Sequence, residues 1–277
     1  MTKLISAGFS RLRLSKIFWL GMVFMLVIAM VVVVNQYYSC LKYGFEIKLD
    51  GFVLGFTIIV PVLAAVFCSL FLGTEYSDGT MRNKLMIGHS RAVIYLSSLI
   101  ISITATLLMC LAFLLGVCAV GIPLLGGLTT PLPHFFIMLL GSVVLVCAVC
   151  AILTVICMLI SNKAIIAIVS ILCMVGLLLL AISIDSRLQE PEFYSNVVFT
   201  ENGTVHPPDE LIPNPAYLTG AKRAVYEYAY DILPTGQALQ YSRMSAEHLW
   251  QMPLYSLAIL FLSTWLGVFF FKRKDLR

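Results

Sequence analysis

The chain has 277 residues, 60% of them hydrophobic and only 12% Asp, Glu, Lys or Arg, with a formal net charge of +4. An ordinary soluble domain carries roughly twice that charged fraction. From Ala92 to Asn162 the sequence holds no Asp, Glu, Lys or Arg at all, more uncharged chain than a soluble protein can wrap in a solvated surface. A soluble enzyme, a disordered chain and a nucleic-acid binder are excluded, and an integral membrane protein remains.

Residues 2–16 predict an interfacial helix. Ile5, Phe9, Leu12 and Lys16 fall on one stripe at helical spacing, with Lys3, Arg11 and Arg13 displayed around it. Such a helix lies with its apolar face at the acyl boundary and its cations toward anionic lipid. The plainer reading is a basic flank that serves topology alone. Crossing about 30 Å of hydrocarbon takes about 20 apolar residues. Ile17–Tyr38, Gly51–Gly73, Phe135–Ile160, Ala164–Ile184 and Pro253–Phe271 meet that requirement. A sixth stretch, Ala92–Val120, is longer and is expected to end at Gly121-Ile-Pro123, with Gly126-Gly127 and Pro131-Leu-Pro133 separating it from the next span. The first apolar run follows basic residues as a signal peptide would, but it is long and no A-x-A site follows, so a retained span is expected. The count is six.

Lys and Arg near span ends favour the cytoplasm. The N-terminal tail, the loop after span two, the tight loop at Lys163 and the C-terminal tail together hold twelve of the 18 basic residues. The opposite side holds six basic residues and 11 of the 14 acidic ones. Both termini are therefore expected in the cytoplasm, which an even span count requires.

The loop 74–91 reads Thr-Glu-Tyr-Ser-Asp-Gly-Thr-Met-Arg-Asn-Lys-Leu-Met-Ile-Gly-His-Ser-Arg. Ser77 or Asp78 can cap a short helix that Gly88 would end, and Ser90 can cap span three. Met81 and Leu85 stand one turn apart on that helix. A short structured element at the cytoplasmic mouth suits docking of a soluble partner; the alternative is a basic topological loop. The run Glu75-Tyr-Ser-Asp-Gly79-Thr80-Met-Arg82-Asn-Lys84-Leu85 resembles the first cytoplasmic loop of ABC-2 type transporter permeases. The six-span layout, the N-terminal interfacial helix and a large external segment before the last span extend the resemblance over essentially the whole chain. It implies that this loop is a coupling helix docking on a cytosolic ATPase subunit. It makes Glu75, Gly79, Thr80, Arg82, Lys84 and Gly88 the candidate coupling residues.

Residues 185–251 form the one sizeable polar block, expected outside the cell. Asn196–Phe199 and Thr204–His206 flank Glu201-Asn202-Gly203 as a hairpin would. Pro207-Pro208 and Pro213-Asn-Pro215 mark breaks. Ala216–Asp231 reads as a helix, and Thr235 as the cap of a shorter one reaching about Tyr241. The segment is either a lid over an exit mouth or a packing cap over the helices. The expected fold is thus an all-α polytopic membrane protein. It has a cytoplasmic interfacial helix (1–16), spans one to five with the coupling loop (17–184), an external α/β-hairpin segment (185–251), and span six with a basic tail (252–277).

No G-x-x-x-x-G-K-[ST] or H-E-x-x-H occurs. No Asp or Glu falls inside a span as drawn, which argues against an intramembrane protease and against proton coupling, both of which need buried ionisable groups. Cys147-Ala-Val-Cys150 is formally a C-x-x-C, but in a run of Leu, Val and Ile it reads as small apolar packing residues. Gly51-Phe-Val-Leu-Gly55 is a G-x-x-x-G of the kind that permits close helix contact, and equally a chance occurrence. Asn202-Gly-Thr204 is a formal glycosylation acceptor. No catalytic or metal residue is expected, and no cofactor in this chain. The resemblance puts ATP and Mg on the partner ATPase subunit, with a second copy or a related permease and membrane lipid as the other partners, in a bacterial plasma membrane. The expected function is the permease subunit of an ATP-driven exporter. Uncharged spans disfavour a fully hydrated charged cargo and favour an amphipathic peptide (antimicrobial peptide, bacteriocin or peptide toxin) or a hydrophobic drug. The alternatives are export of polysaccharide or lipid-linked glycan and, in another class, an ATP-independent channel or secondary transporter.

Overall fold

The computed structural model describes residues 1–44, 48–194, 198–199, 205–206, 212–246 and 248–274. The elements run α1 (Thr2–Leu14), α2 (Lys16–Tyr43), α3 (Asp50–Val53), α4 (Phe56–Ser77), α5 (Thr80–Met86), α6 (Arg91–Leu125), α7 (Leu132–Leu159) and α8 (Lys163–Leu188). The two-residue strands β1 (Phe193–Tyr194), β2 (Val198–Phe199), β3 (Val205–His206) and β4 (Ile212–Pro213) come next, then α9 (Gly220–Ile232), α10 (Pro234–Ser242) and α11 (Gln251–Arg273). Six helices among the described residues are long and apolar enough to cross a membrane: α2, α3 and α4 taken together, α6, α7, α8 and α11. They coincide with the six expected spans.

Local chemistry sets the boundaries. Ser15 breaks α1 from α2, accepting from the Phe18 amide. Asn162 caps α8 by accepting from the amides of Ala164 and Ile165. Ser90 caps α6 as expected, accepting from Val93. Span two is interrupted: the chain turns at Leu54-Gly55, where the Gly55 amide donates to Phe52 O rather than four residues back. The G-x-x-x-G there is not a continuous helix-packing face: Gly51 has open space beside it, and Gly55 lies in the break, facing the Phe113 ring of α6. Span three overruns its expected end. α6 continues through Gly121 and Pro123 to Leu125 and stops at Gly126, whose φ of 85° suits glycine. At 35 residues it is about 52 Å long, so it tilts or projects beyond the hydrocarbon.

Buried residues of α2, α4, α6, α7 and α11 form one apolar core. α4 is central and packs on α7 and α8. Small residues allow the close approaches. A Cβ on Gly116 of α6 would come within 2.8 Å of the Leu26 carbonyl of α2, and one on Gly267 of α11 within 2.2 Å of the Tyr95 hydroxyl of α6. α1 lies against α6, with Leu4 and Leu12 buried and Gly8 over Ile101.

β1 pairs antiparallel with β4, and β2 with β3, two residues each. The turn expected at Glu201-Asn202-Gly203, the formal glycosylation acceptor there and Pro207-Pro208 lie outside the described residues. α9 begins four residues later than expected. α10 then turns back into the bundle, with every residue from Pro234 to Ser242 buried. Thr235 does not cap it; Pro234 occupies the first turn and the Thr235 hydroxyl donates to Leu177 O in α8 at 2.7 Å. Thr57 Oγ1 of α4 lies 2.7 Å from Ala238 O, and the Ser256 hydroxyl of α11 donates to Gln237 Oε1 at 2.6 Å. Tyr241 packs on Gly141 of α7. Leu177 stands about 16 Å back from the end of α8, so α10 is a re-entrant half-helix plugging the end of the bundle opposite the termini.

Candidate functional site

At the end of the bundle that carries the termini, three elements meet at one carboxylate. Glu75 lies in the last turn of α4 with 5% of its surface exposed. Arg11 of α1 donates to Glu75 Oε1 at 2.5 Å, and Lys84 of α5 donates to Oε2 at 2.8 Å. The Arg11 guanidinium also bonds Phe71 O at 2.7 Å and Thr74 Oγ1, and stacks on the Phe71 ring at 4.5 Å. A buried carboxylate needs such partners, because a desolvated charge without them is prohibitive. Glu75 therefore fixes α1, α4 and α5 in one arrangement.

α5 is built on two glycines. Gly79 adopts φ 67°, turning the chain from α4 into α5, and its carbonyl accepts from the amides of Arg82 and Asn83. The Thr80 hydroxyl reaches back to Glu75 O at 3.0 Å. Neither Ser77 nor Asp78 caps the helix, because α4 runs on to Ser77, whose hydroxyl returns to Thr74 O. Gly88, at φ 94°, closes the other end: the His89 amide donates to Lys84 O and the Gly88 amide to Leu85 O. That pair of bonds is a Schellman motif, which satisfies the last carbonyls of a helix.

The structure thus brings Glu75, Thr80 and Lys84 together, and gives Gly79 and Gly88 the left-handed positions that bound α5. Arg82 does not join them; it is exposed on the outer face. Met81 is buried, whereas Met86 and Ile87 are 77% and 76% exposed. The loop therefore ends in an apolar tip flanked by Arg82.

Sequence reasoning missed Arg11, assigning it to lipid. The signal was present, since Arg11 lies seven residues after Leu4, on the face that packs inward. It also missed the clamp on the other flank of the loop. The Arg91 guanidinium faces the carbonyl oxygens of Phe271 at 3.2 Å, Lys272 at 3.1 Å and Lys274, at the end of α11. Lys274 donates to Met158 O of α7 at 3.0 Å and lies over the Tyr76 ring at 4.5 Å. Burial pushes its ammonium down to about 8. Tyr76 in turn donates to Met158 O at 2.6 Å. α5 is thereby joined to α4 and α1 through Glu75, and the chain that follows it is held at Arg91 against the end of α11, which Lys274 ties to α7.

A second polar cluster sits at the opposite end, around a cavity of about 290 Å³ between α8, α9 and α10. Asp185 accepts from Arg243 at 2.8 Å and from Tyr230 and Gln189 at 3.0 Å each. Burial, then the adjacent Asp185 carboxylate, raises the Tyr230 phenol above its ordinary value, so it serves as a neutral donor. Asp231 accepts from Gln240 at 2.8 Å and lies 2.8 Å from His248 Nδ1. Each carboxylate is committed to a partner, and the cluster pins α9 and α10 to α8. Among the described residues no group of three or more His, Cys, Asp or Glu is placed to hold a metal ion. Cys150 packs against Thr106 of α6 at 3.4 Å.

No curated protein matches the chain. The family model described as ABC-2 family transporter protein matches residues 4–180, from α1 into α8 and well over half of the sequence. With six membrane-crossing helices beside that match, the molecule is a multi-pass membrane protein, and the chain belongs to the ABC-2 family of transporter proteins.

Proposed function

We propose that the chain is the permease subunit of an ATP-driven exporter and that α5 is its coupling helix. Family membership makes an ABC ATPase its general partner. The observation that carries the coupling assignment is the Glu75 node: a carboxylate that ties α5 to α4 and α1 while Arg82, Met86 and Ile87 face outward. A force applied to the exposed tip passes through Lys84 and Thr80 into α4, and through Arg11 into α1. Gly79 and Gly88 supply the turns, Arg82 a charged contact to the ATPase. ATP and Mg reside on that ATPase subunit. Two permease chains, identical or related, enclose the path, with both termini in the cytoplasm of a bacterial cell and α10 at the external mouth.

Closure of the ATPase subunits pushes α5, displaces the ends of α4 and α6, and opens the mouth that α10 fills. The apolar spans favour an amphipathic peptide, such as an antimicrobial peptide, bacteriocin or peptide toxin, or a hydrophobic drug, either able to follow apolar walls without losing the hydration of a full charge. The test is co-purification with the ATPase, followed by ATP turnover and transport in Glu75→Ala and Arg82→Ala. Both variants are expected to assemble less well or to lose cargo-stimulated turnover. Normal stimulation and transport in both would remove the coupling assignment, and unchanged resistance of cells to every peptide and drug in a panel, with and without the transporter, would remove the cargo class.

A further inference from the structure

A groove of about 440 Å³ runs between the last two turns of α8 and the side of α9 that faces away from the Asp185 cluster. α8 contributes Leu180, Ile184 and Arg187 at i, i+4 and i+7, and α9 contributes Val225 and Ala229. Lys222, one turn before Val225 and Tyr226, lines the adjoining hollow that shares those two residues. Each helix thus presents an apolar stripe that ends in a cation, and both cations flank Val225 and Tyr226. The apolar walls are open, with Leu180 48% and Val225 65% exposed.

Neither the Arg187 nor the Lys222 side chain pairs with a described residue. The acids nearest to them in sequence are already committed, Asp185 to Arg243 and Glu227 to Arg223. Exposed Tyr38 near the end of α2 and Trp250 just before α11 mark the same end of the bundle as the headgroup layer, where aromatic residues concentrate. An apolar trough at that height, beside two cations that pair with no described residue, has the charge and shape to take a phospholipid bearing a net negative headgroup. We propose that this groove is a binding site for one anionic phospholipid, its acyl chain along Leu180, Ile184, Val225 and Ala229 and its phosphate between Arg187 and Lys222. The lipid braces α9 against α8, and through α9 it holds the re-entrant α10. The site needs only a membrane-spanning chain, so its failure and the failure of the exporter assignment are separate results.

The test is photo-crosslinking of the purified full-length protein with acyl-diazirine phosphatidylglycerol and, in parallel, acyl-diazirine phosphatidylcholine, the adducts being mapped by mass spectrometry. Two cations near an anionic headgroup, each contributing about fivefold, predict roughly 25-fold preferential labelling of the α8 and α9 peptides by phosphatidylglycerol. Arg187→Gln/Lys222→Gln should bring the preference to within about threefold. Arg187→Lys/Lys222→Arg should keep it, and Lys272→Gln/Arg273→Gln at the other end should leave it unchanged. Both outer cations are exposed and make no described contact, so these variants retain the fold. Equal labelling by the two lipids, unchanged preference in the double Gln variant, or blocking by free glycerol phosphate as effective as by unlabelled phosphatidylglycerol would overturn the proposal.

Discussion

The Arg11–Glu75 contact can be weighed by a double-mutant cycle, with Arg11→Gln, Glu75→Gln and the pair compared in thermal melts. Removing one partner of a buried ion pair costs about 3–5 kcal/mol when the other charge is stranded. Here the surviving charge is not fully stranded: in Glu75→Gln the Arg11 and Lys84 side chains keep 34% and 23% exposure and can rehydrate, and in Arg11→Gln the buried Glu75 keeps its ion pair with Lys84. Each single variant is therefore expected to lose about 2 kcal/mol, near the value of a hydrogen bond to a charged group. For a chain of this size that lowers Tm by about 4–8 °C. Arg11 donates to Glu75 directly, so the two losses should not add; a coupling of about 1–2 kcal/mol is expected. Lys84→Gln should couple to Glu75→Gln through the other carboxylate oxygen but only weakly to Arg11→Gln. Additivity of Arg11→Gln and Glu75→Gln within about 0.5 kcal/mol would refute the node as the joint between α1 and α5.

At the opposite end, Gly236→Ala places a methyl 2.2 Å from Tyr230 O. Backbone cannot yield as a side-chain tip does, so a loss of about 1–3 kcal/mol is expected in melts, and an unchanged Tm would contradict the tight α9–α10 turn. Asp185→Ala leaves Tyr230 and half-exposed Arg243 without their acceptor; about 2 kcal/mol and faster amide exchange in α9 are expected, and unaltered exchange would dismiss the pinning role. Lys274, held near 8 against 10.5 in the unfolded chain, keeps its proton in the unfolded state while the folded state releases it between those values. Stability should therefore rise with pH across that window, relative to Lys274→Met measured alongside. A difference that stays flat or falls from pH 7 to pH 10 would contradict the burial of this ammonium.

The spans were readable because hydrocarbon imposes a length and an apolar composition that local sequence carries directly. Their ends were read less well. Pro123 did not stop α6: a proline removes only its own donor to the carbonyl four residues back, and the helix ended three residues later at Gly126, where the backbone adopts positive φ. α10 was read only as a short helix of the polar segment, a lid or a packing cap, because Pro234–Ser242 is too polar to announce a buried helix. Its burial depends on Thr57, Leu177 and Ser256, which are distant in sequence and satisfy its polar groups. At the Glu75 node, Glu75 and Lys84 were legible from one short motif. Arg11 lies 64 residues from Glu75, and nothing in the loop itself names its partner. Met86 and Ile87 were passed over because exposure, not residue type, distinguishes them from Met81 and Leu85.

Docking of α5 on an ATPase is the central claim, and a photo-crosslinking residue placed on its exposed tip tests it most directly. p-Benzoylphenylalanine at Met86 or Ile87, with Trp250 at the opposite end of the bundle as the control, should give an ATP-sensitive adduct to an ABC ATPase subunit from the two tip positions alone. Adducts absent from both tip positions, or equally strong at Trp250, would contradict the account.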